Sequence, residues 1–258
     1  MGSEINQLRI LKDKSHYDKI KSIFNKNANY ITKKYIGRPV VGCCSQLYTQ
    51  LKPTSYQDFF NKYLQCADES FNMEKLKGDE EKGRSLDALW AIANRYYENV
   101  TNQRLNVSVE ECFDDLVNHI IIETFDGHIA ENIVKDKINN YSKYKATSTH
   151  GDIDAEYGVD IIVTDENNEI KHCIQVKPIS TFAGNNNPSL MKDRRNFFDK
   201  QKKLDEAIGR HIPIEYMVYN KNYHFLERNK RHRFNLNELC NTNGNVVGNL
   251  FKEKFVQL

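Results

Sequence analysis

The sequence predicts an α/β fold: a helical N-terminal region followed by a mixed central sheet flanked by helices. Three observations carry this. Apolar residues recur at helical spacing through about residue 139. The period then shortens, and Tyr157–Thr164 and Ile170–Lys177 are brief, β-branched runs that read as strands. A helical stretch over 190–209 and a further strand at Pro213–Tyr219 follow, so helices come first and a helix–strand–strand–helix–strand series comes after.

The elements follow in chain order. Residues 5–37 alternate apolar and basic positions at helical spacing until Gly37-Arg38-Pro39 breaks the pattern. Thr54 and Ser55 are caps for a helix through about Cys66, and Lys77–Arg84 is a polar loop. Ser85 starts a helix carrying Leu86, Leu89, Trp90 and Ala93. Ser108-Val109-Glu110-Glu111 is a capping box, which predicts a helix from 109 to about 124; Asp126 then caps another to about Asn139. After the strand at 213–219, a last strand covers His224–Leu226 or Arg233–Leu236. The expected organisation is a mainly helical region, 1–107, and an α/β core, 108–258, with no clear linker, hence one compact unit.

Leu, Ile, Val and Phe make up 66 of the 258 residues, enough to bury a core. No apolar run approaches the ~18 residues of a membrane span. The six Cys show no paired spacing of the CxxC kind, which excludes a zinc ribbon and argues against a disulfide scaffold. An intracellular, cytoplasmic protein is expected. The net charge of +2 hides a strong segregation. Residues 8–38 hold nine basic and two acidic residues, 108–160 hold four basic and twelve acidic, and 192–233 hold twelve basic and six acidic. The basic segments are either solvated helix faces or surfaces that attract a polyanion.

The chemistry concentrates in one hairpin. Asn167-Asn168 suits a tight turn between the two strands. A turn centred there sets Asp160 directly opposite Gln175, and Lys177 shares their face beside Gly158. Val159, Ile161, Val163, Ile174 and Val176 are expected to point the other way, into a core. An acid, an amide and an ammonium group thus converge. A plain Asp–Lys ion pair satisfies that pattern. So does a metal-dependent hydrolytic site, in which hard oxygen ligands hold Mg²⁺ and the Lys orients the attacking water.

Asp160, followed by Gln175-Val176-Lys177, resembles the D…(E/D/Q)xK signature of the PD-(D/E)XK nucleases. Gly127-His128-Ile129-Ala130-Glu131 matches the helix that supplies that superfamily's further acid, and the element order over about 126–219 agrees. More narrowly, Gly37-Arg38-Pro39-Val40-Val41-Gly42, Ser45-Gln46-Leu47, Thr124-Phe125-Asp126-Gly127 and Ile174-Gln175-Val176-Lys177-Pro178 look like the MjaI-type group of type II restriction endonucleases. The resemblance implies a restriction-endonuclease-like core and Mg²⁺-dependent hydrolysis of double-stranded DNA at a short specific sequence. It implies a homodimer on a palindromic site and a companion DNA methyltransferase. It assigns Asp160, Gln175 and Glu131 to the metal and Lys177 to the nucleophilic water. Gln175 is the departure, because Glu or Asp is commoner there. It leaves room for a catalytically inactive DNA-binding protein; a structure-specific repair or recombination nuclease of the same superfamily is the other alternative.

Other residues complete the expectations. Glu123 falls on the apolar face of its helix and competes with Glu131 as the further acid. Asp152, Asp154 and Glu156 read as a solvated turn before the first active strand. Ser180, Thr181, Asn185 and Asn186 follow Lys177 and are candidate DNA contacts, since Asn amides can read adenine edges. Arg194 and Arg195, with Lys192, Lys200, Lys202 and Lys203, could meet phosphates from one helix, and Arg231 and Arg233 lie in the densest basic cluster.

Overall fold

The computed structural model describes residues 8–25, 44–66, 85–102, 106–149, 152–178, 188–226 and 255–257. The chain divides into two compact units, Met1–Asp126 and Gly127–Leu258.

The first unit is helical in its described residues. Helices α1 (Lys14–Asn25), α2 (Cys44–Leu51), α3 (Tyr56–Gln65), α4 (Leu86–Asn102) and α5 (Val109–Val117) follow one another. Their starts are where the caps place them. Ser55 accepts from the Asp58 N–H, Ser85 from the Ala88 N–H, and Ser108 and Glu111 close a reciprocal capping box. The core is aromatic: Phe59, Phe60, Tyr63, Tyr96 and Phe113 are buried, and Trp90 stacks on Phe113 with ring centroids 4.2 Å apart.

One helix boundary differs from expectation. The helix begun at Ser108 does not stop near 124. It passes through a π turn, Asn118–Ile122, directly into α6, Glu123–Tyr141. The π turn takes in the buried run Ile120-Ile121-Ile122 without breaking the backbone ladder. Asp126 is not a cap; its carboxylate accepts a hydrogen bond from the Tyr56 hydroxyl at 2.6 Å.

The second unit is a mixed sheet flanked by helices, as the sequence predicts. Six strands lie in chain order: β1 (Lys145–Ser148), β2 (Ile161–Thr164), β3 (Ile170–Pro178), β4 (Ile214–Tyr219), β5 (His224–Leu226) and β6 (Phe255–Gln257). Every neighbouring pair is antiparallel except β3 and β4. That parallel pair needs a long crossover, which contains α8 (Pro188–Ile208). Each face of the sheet is buried. Ile161, Val163, Ile174 and Val176 pack with Ala130 and Val134 of α6. Cys173 and Ile214 pack with Leu204 of α8.

Three features depart from the sequence reading. Strand β1 was not expected; its short Lys-Ala-Thr-Ser run has almost no apolar content. Asn139 on α6 secures it, accepting from the Ala146 N–H at 2.7 Å and donating to the Ala146 carbonyl at 3.1 Å. The first active strand begins at Ile161 rather than Tyr157, because Asp152–Tyr157 form a short helix, α7, ended by Gly158 at φ +64°. Val159 therefore leaves the alternation of β2 and packs with Cys173 and Leu204, on the face opposite Ile161.

The hairpin register holds as far as Ile161, which faces Ile174, with Ile162 facing Cys173; Asp160, expected opposite Gln175, lies just before the paired strand and donates its N–H to the Ile174 carbonyl. At the far end the turn is longer than two residues. It runs over Asp165–Asn168 with Asn168 left-handed at φ 60°, and a register shift between Val163 and Thr164 absorbs the difference. The Asp165 carboxylate accepts from the Asn167 and Glu169 N–H groups, both at 2.9 Å. Among the described residues no helix is long and apolar enough to cross a membrane, and none of Cys44, Cys66, Cys112 and Cys173 forms a disulfide.

Ile161 is fully buried immediately after Asp160. Its truncation to Ala should leave a cavity in the sheet core and lower stability by about 2–4 kcal/mol, read from urea unfolding.

Candidate active site

Asp160 stands where β2 parts from β3. Its N–H donates to the Ile174 carbonyl and its carbonyl accepts from Thr149, each at 2.9 Å. At Gly158, whose N–H closes α7 on the Asp154 carbonyl at 2.8 Å, the chain turns away and regular pairing with β3 is lost. The Val176 N–H would otherwise lack its strand partner. The Asp160 carboxylate takes it, with Oδ2 2.7 Å from the Val176 nitrogen. The Thr149 hydroxyl donates to the Val159 carbonyl on the same stretch.

Asp160 is 5 % exposed. Burial pushes its carboxyl up to about 7; Lys177 opposes this, while the negative charges of Glu131 and Asp154 add to it. The Lys177 ammonium lies 3.8 Å from Asp160 Oδ2, an ion pair at the limit of contact. Two more carboxylates are thus within electrostatic reach. Glu131 comes from α6, where His128 Nδ1 lies 3.2 Å from its carboxylate. Asp154 comes from α7, a helix where a solvated turn was expected.

Gln175 and Lys177 lie on the face of β3 that carries Cys173, two residues apart along the strand. A Cβ at Gly158 would stand 3.4 Å from Gln175 Nε2, 3.1 Å from Lys200 Nζ and 2.8 Å from Lys200 Cδ. With the left-handed φ at this position, that crowding makes glycine the fitting residue. The structure therefore brings Asp160, Gln175 and Lys177 to one end of the hairpin, with Glu131 of α6 within electrostatic reach of Asp160.

Lys200 also reaches this end of the hairpin, lying over Gly158; the sequence names it as a possible phosphate contact but does not place it beside Gln175. A signal existed: Lys200, Leu204 and Ile208 recur at four-residue spacing, so Lys200 continues the stripe by which α8 meets the sheet. Glu123 is committed elsewhere. It lies 2.7 Å from His119 Nδ1 and 3.5 Å from Lys21 Nζ. Burial pushes its carboxyl up, but these two neighbours outweigh it and hold it at about 2. Ser180, Thr181, Asn185, Asn186, Arg231 and Arg233 lie outside the described residues. Arg194 and Arg195 belong to α8, and their side chains lie outside the description too.

Among the described residues no three His, Cys, Asp or Glu side chains gather closely enough to hold a metal ion between them. The oxygen donors fit a hard cation in another way. A buried carboxylate, the amide oxygen of Gln175 and strand carbonyls suit Mg²⁺, which keeps several of its waters. The electrostatics agree, since Glu131 and Asp154 add negative charge around the Asp160 carboxylate and Lys177 opposes it; a divalent ion would supply further positive charge. Thiol chemistry does not fit. Burial pushes Cys112 up to about 12 and Cys173 up to about 11.

The family model described as MjaI restriction endonuclease matches the chain over residues 17–225. No curated protein and no solved structure matches the chain.

The raised Asp160 carboxyl sets a pH dependence. The folded protein holds this proton more tightly than the unfolded chain does. That stabilisation is complete below about pH 4, the ordinary carboxylate range, and is lost as pH rises through about 7. Asp160→Asn should therefore raise the metal-free unfolding midpoint at pH 8, by roughly 2–4 kcal/mol at most, with the gain shrinking toward pH 5. Thermal melts in chelator across that range read it; a gain that is the same at both ends would contradict the burial argument.

Proposed function

The chain belongs to the MjaI restriction endonuclease family, and we propose that it is a type II enzyme that cuts double-stranded DNA at a short specific sequence with Mg²⁺. The observation that carries this reading is the junction of the buried Asp160 carboxylate with Lys177, 3.8 Å away on the neighbouring strand. A surface ion pair would have no reason to be buried or to attract two more carboxylates.

Asp160, Gln175 and Glu131 would hold the metal, directly or through water. When bound, it supplies Lewis-acid polarisation of a phosphodiester oxygen and lowers the pKa of a ligating water. The chain's own groups do the rest. The hydrogen bond from Val176 and the burial of Asp160 fix that carboxylate, so little reorganisation is needed when DNA docks. Lys177, held by Asp160, orients the attacking water and stabilises the negative charge that builds on the phosphate. Gln175 brings an oxygen but no charge, which leaves more of the cation's attraction to the carboxylates.

The segregated charge supports a DNA substrate: basic stretches over 8–38 and 192–233 flank the acidic stretch that holds the proposed ligands. Ser180, Thr181, Asn185, Asn186, Arg194, Arg195, Arg231 and Arg233 are the proposed DNA contacts. A palindromic target calls for a two-fold homodimer. An enzyme of this kind also calls for a methyltransferase that protects the same site in host DNA.

Lys177→Ala and Asp160→Ala should each lower Mg²⁺-dependent cleavage by about 10³-fold or more, while DNA retention in Ca²⁺ stays within about threefold. Digestion of a mixed DNA preparation with wild type should give discrete fragments. Cutting only at branches or ends would indicate a repair nuclease. Wild type that retains DNA but cuts with neither Mg²⁺ nor Mn²⁺ would indicate a binding protein with an inactive core.

A further inference from the structure

The strip of space above Gly158 is shared by two side chains from different elements. Lys200 reaches it from α8 and Gln175 from β3; the ammonium and the amide lie 3.1 and 3.4 Å from the same point over the glycine. Lys177 is two residues along β3 from Gln175 on the same face. Two ammonium groups and an amide therefore lie at one end of the hairpin.

The placement of Lys200 is fixed rather than incidental. Its neighbour Gln201 ties α8 to the start of β4, donating to the Ile212 carbonyl and accepting from the Ile214 N–H, both at 2.9 Å. One turn further on, Leu204 is buried in the cluster with Cys173 and Val159. The helix is thus anchored at the lysine's base and one turn beyond it. The Lys200 stem lies against Gly158, so its half-buried methylenes cover backbone while the ammonium is delivered beside Gln175.

We propose that Lys200 is a substrate-binding residue of the active site, its ammonium engaging a non-bridging oxygen of the phosphate at or next to the scissile bond, in addition to Lys177. This rests on the nuclease reading above. Gln175 fits the arrangement. A Glu at 175 would pair with Lys200 and hold its charge away from DNA; a neutral amide leaves that charge for the phosphate. Gly158 fits as well, since a larger residue would displace the Lys200 stem.

The test uses the full chain. Lys200→Gln and Lys200→Arg are compared with wild type for DNA retention in Ca²⁺ over a range of salt and for cleavage with Mg²⁺ at saturating DNA. Lys200→Gln should lose about one unit of the log–log salt slope, as expected for one phosphate contact. It should also cut about 10²-fold more slowly, and Lys200→Arg should recover most of both. A Gln201→Ala variant, which loosens the helix without removing the charge, should lower the melting temperature and leave the salt slope unchanged. If wild type cuts and Lys200→Gln matches it in slope and rate, the role of Lys200 is overturned and the nuclease reading stands. If Gln201→Ala reproduces both losses of Lys200→Gln, the effect is structural and the role is likewise overturned. If wild type neither retains nor cuts DNA, the nuclease reading fails and this role fails with it.

Discussion

The hydrogen bond from the Val176 N–H to Asp160 Oδ2 is the constraint on which the site depends. Two adjacent strands cannot separate inside a buried sheet without orphaning backbone groups, and an orphaned N–H costs as much as a lost hydrogen bond. Here β2 does leave β3, at Gly158, and a side-chain carboxylate repairs the ladder. The repair lets the chain turn away from the end of β3. It also obliges an ionisable group to sit there, 5 % exposed. Gly158 makes both possible, since it accepts the left-handed turn that ends α7 and leaves room for Lys200.

The carboxylate that completes the sheet is poorly placed for stability. It is pushed toward neutrality by burial and by Glu131 and Asp154, with Lys177 as the opposing charge. A structural repair could have used Asn or Ser at much lower electrostatic cost. A charge kept there at the expense of folding free energy points to a task that needs it, which is the ground for the proposed role of Asp160 in holding a hard cation.

Much of this was legible in the sequence because strand pairing is arithmetic. Once the turn was placed near Asn167-Asn168, Ile161 had to oppose Ile174, and the bulge at Val163/Thr164 left that register intact; Asp160, predicted to face Gln175, lies outside the paired strand with its N–H on the Ile174 carbonyl. The capping box at Ser108 and the cap at Ser55 were equally local and equally visible. What stayed hidden was set by tertiary contact. Lys145–Ser148 has no strand signature of its own and is a strand because Asn139 and β2 bind it. The helix past 124 continues because a π turn keeps Ile120–Ile122 buried, a solution that a 3.6-residue period does not suggest. Val159 reads as an inward residue of β2 and is buried on the opposite face, because α7 ends immediately before it.

The substitution at 175 is the point where sequence and structure give different weight to one residue. Against the D…(E/D/Q)xK pattern, Gln175 looks like a lost charge. Within the structure it borders Lys200, and a carboxylate there would form an ion pair with that lysine while adding a fourth negative charge near Asp160. The first effect would remove a cation from the phosphate's path; the second would raise the Asp160 carboxyl further and leave less of it ionised at neutral pH. An amide avoids both and still offers an oxygen. Residue 175 is therefore best understood together with Lys200, as a redistribution of charge within one site: the strand gives up an anion where the helix already supplies a cation.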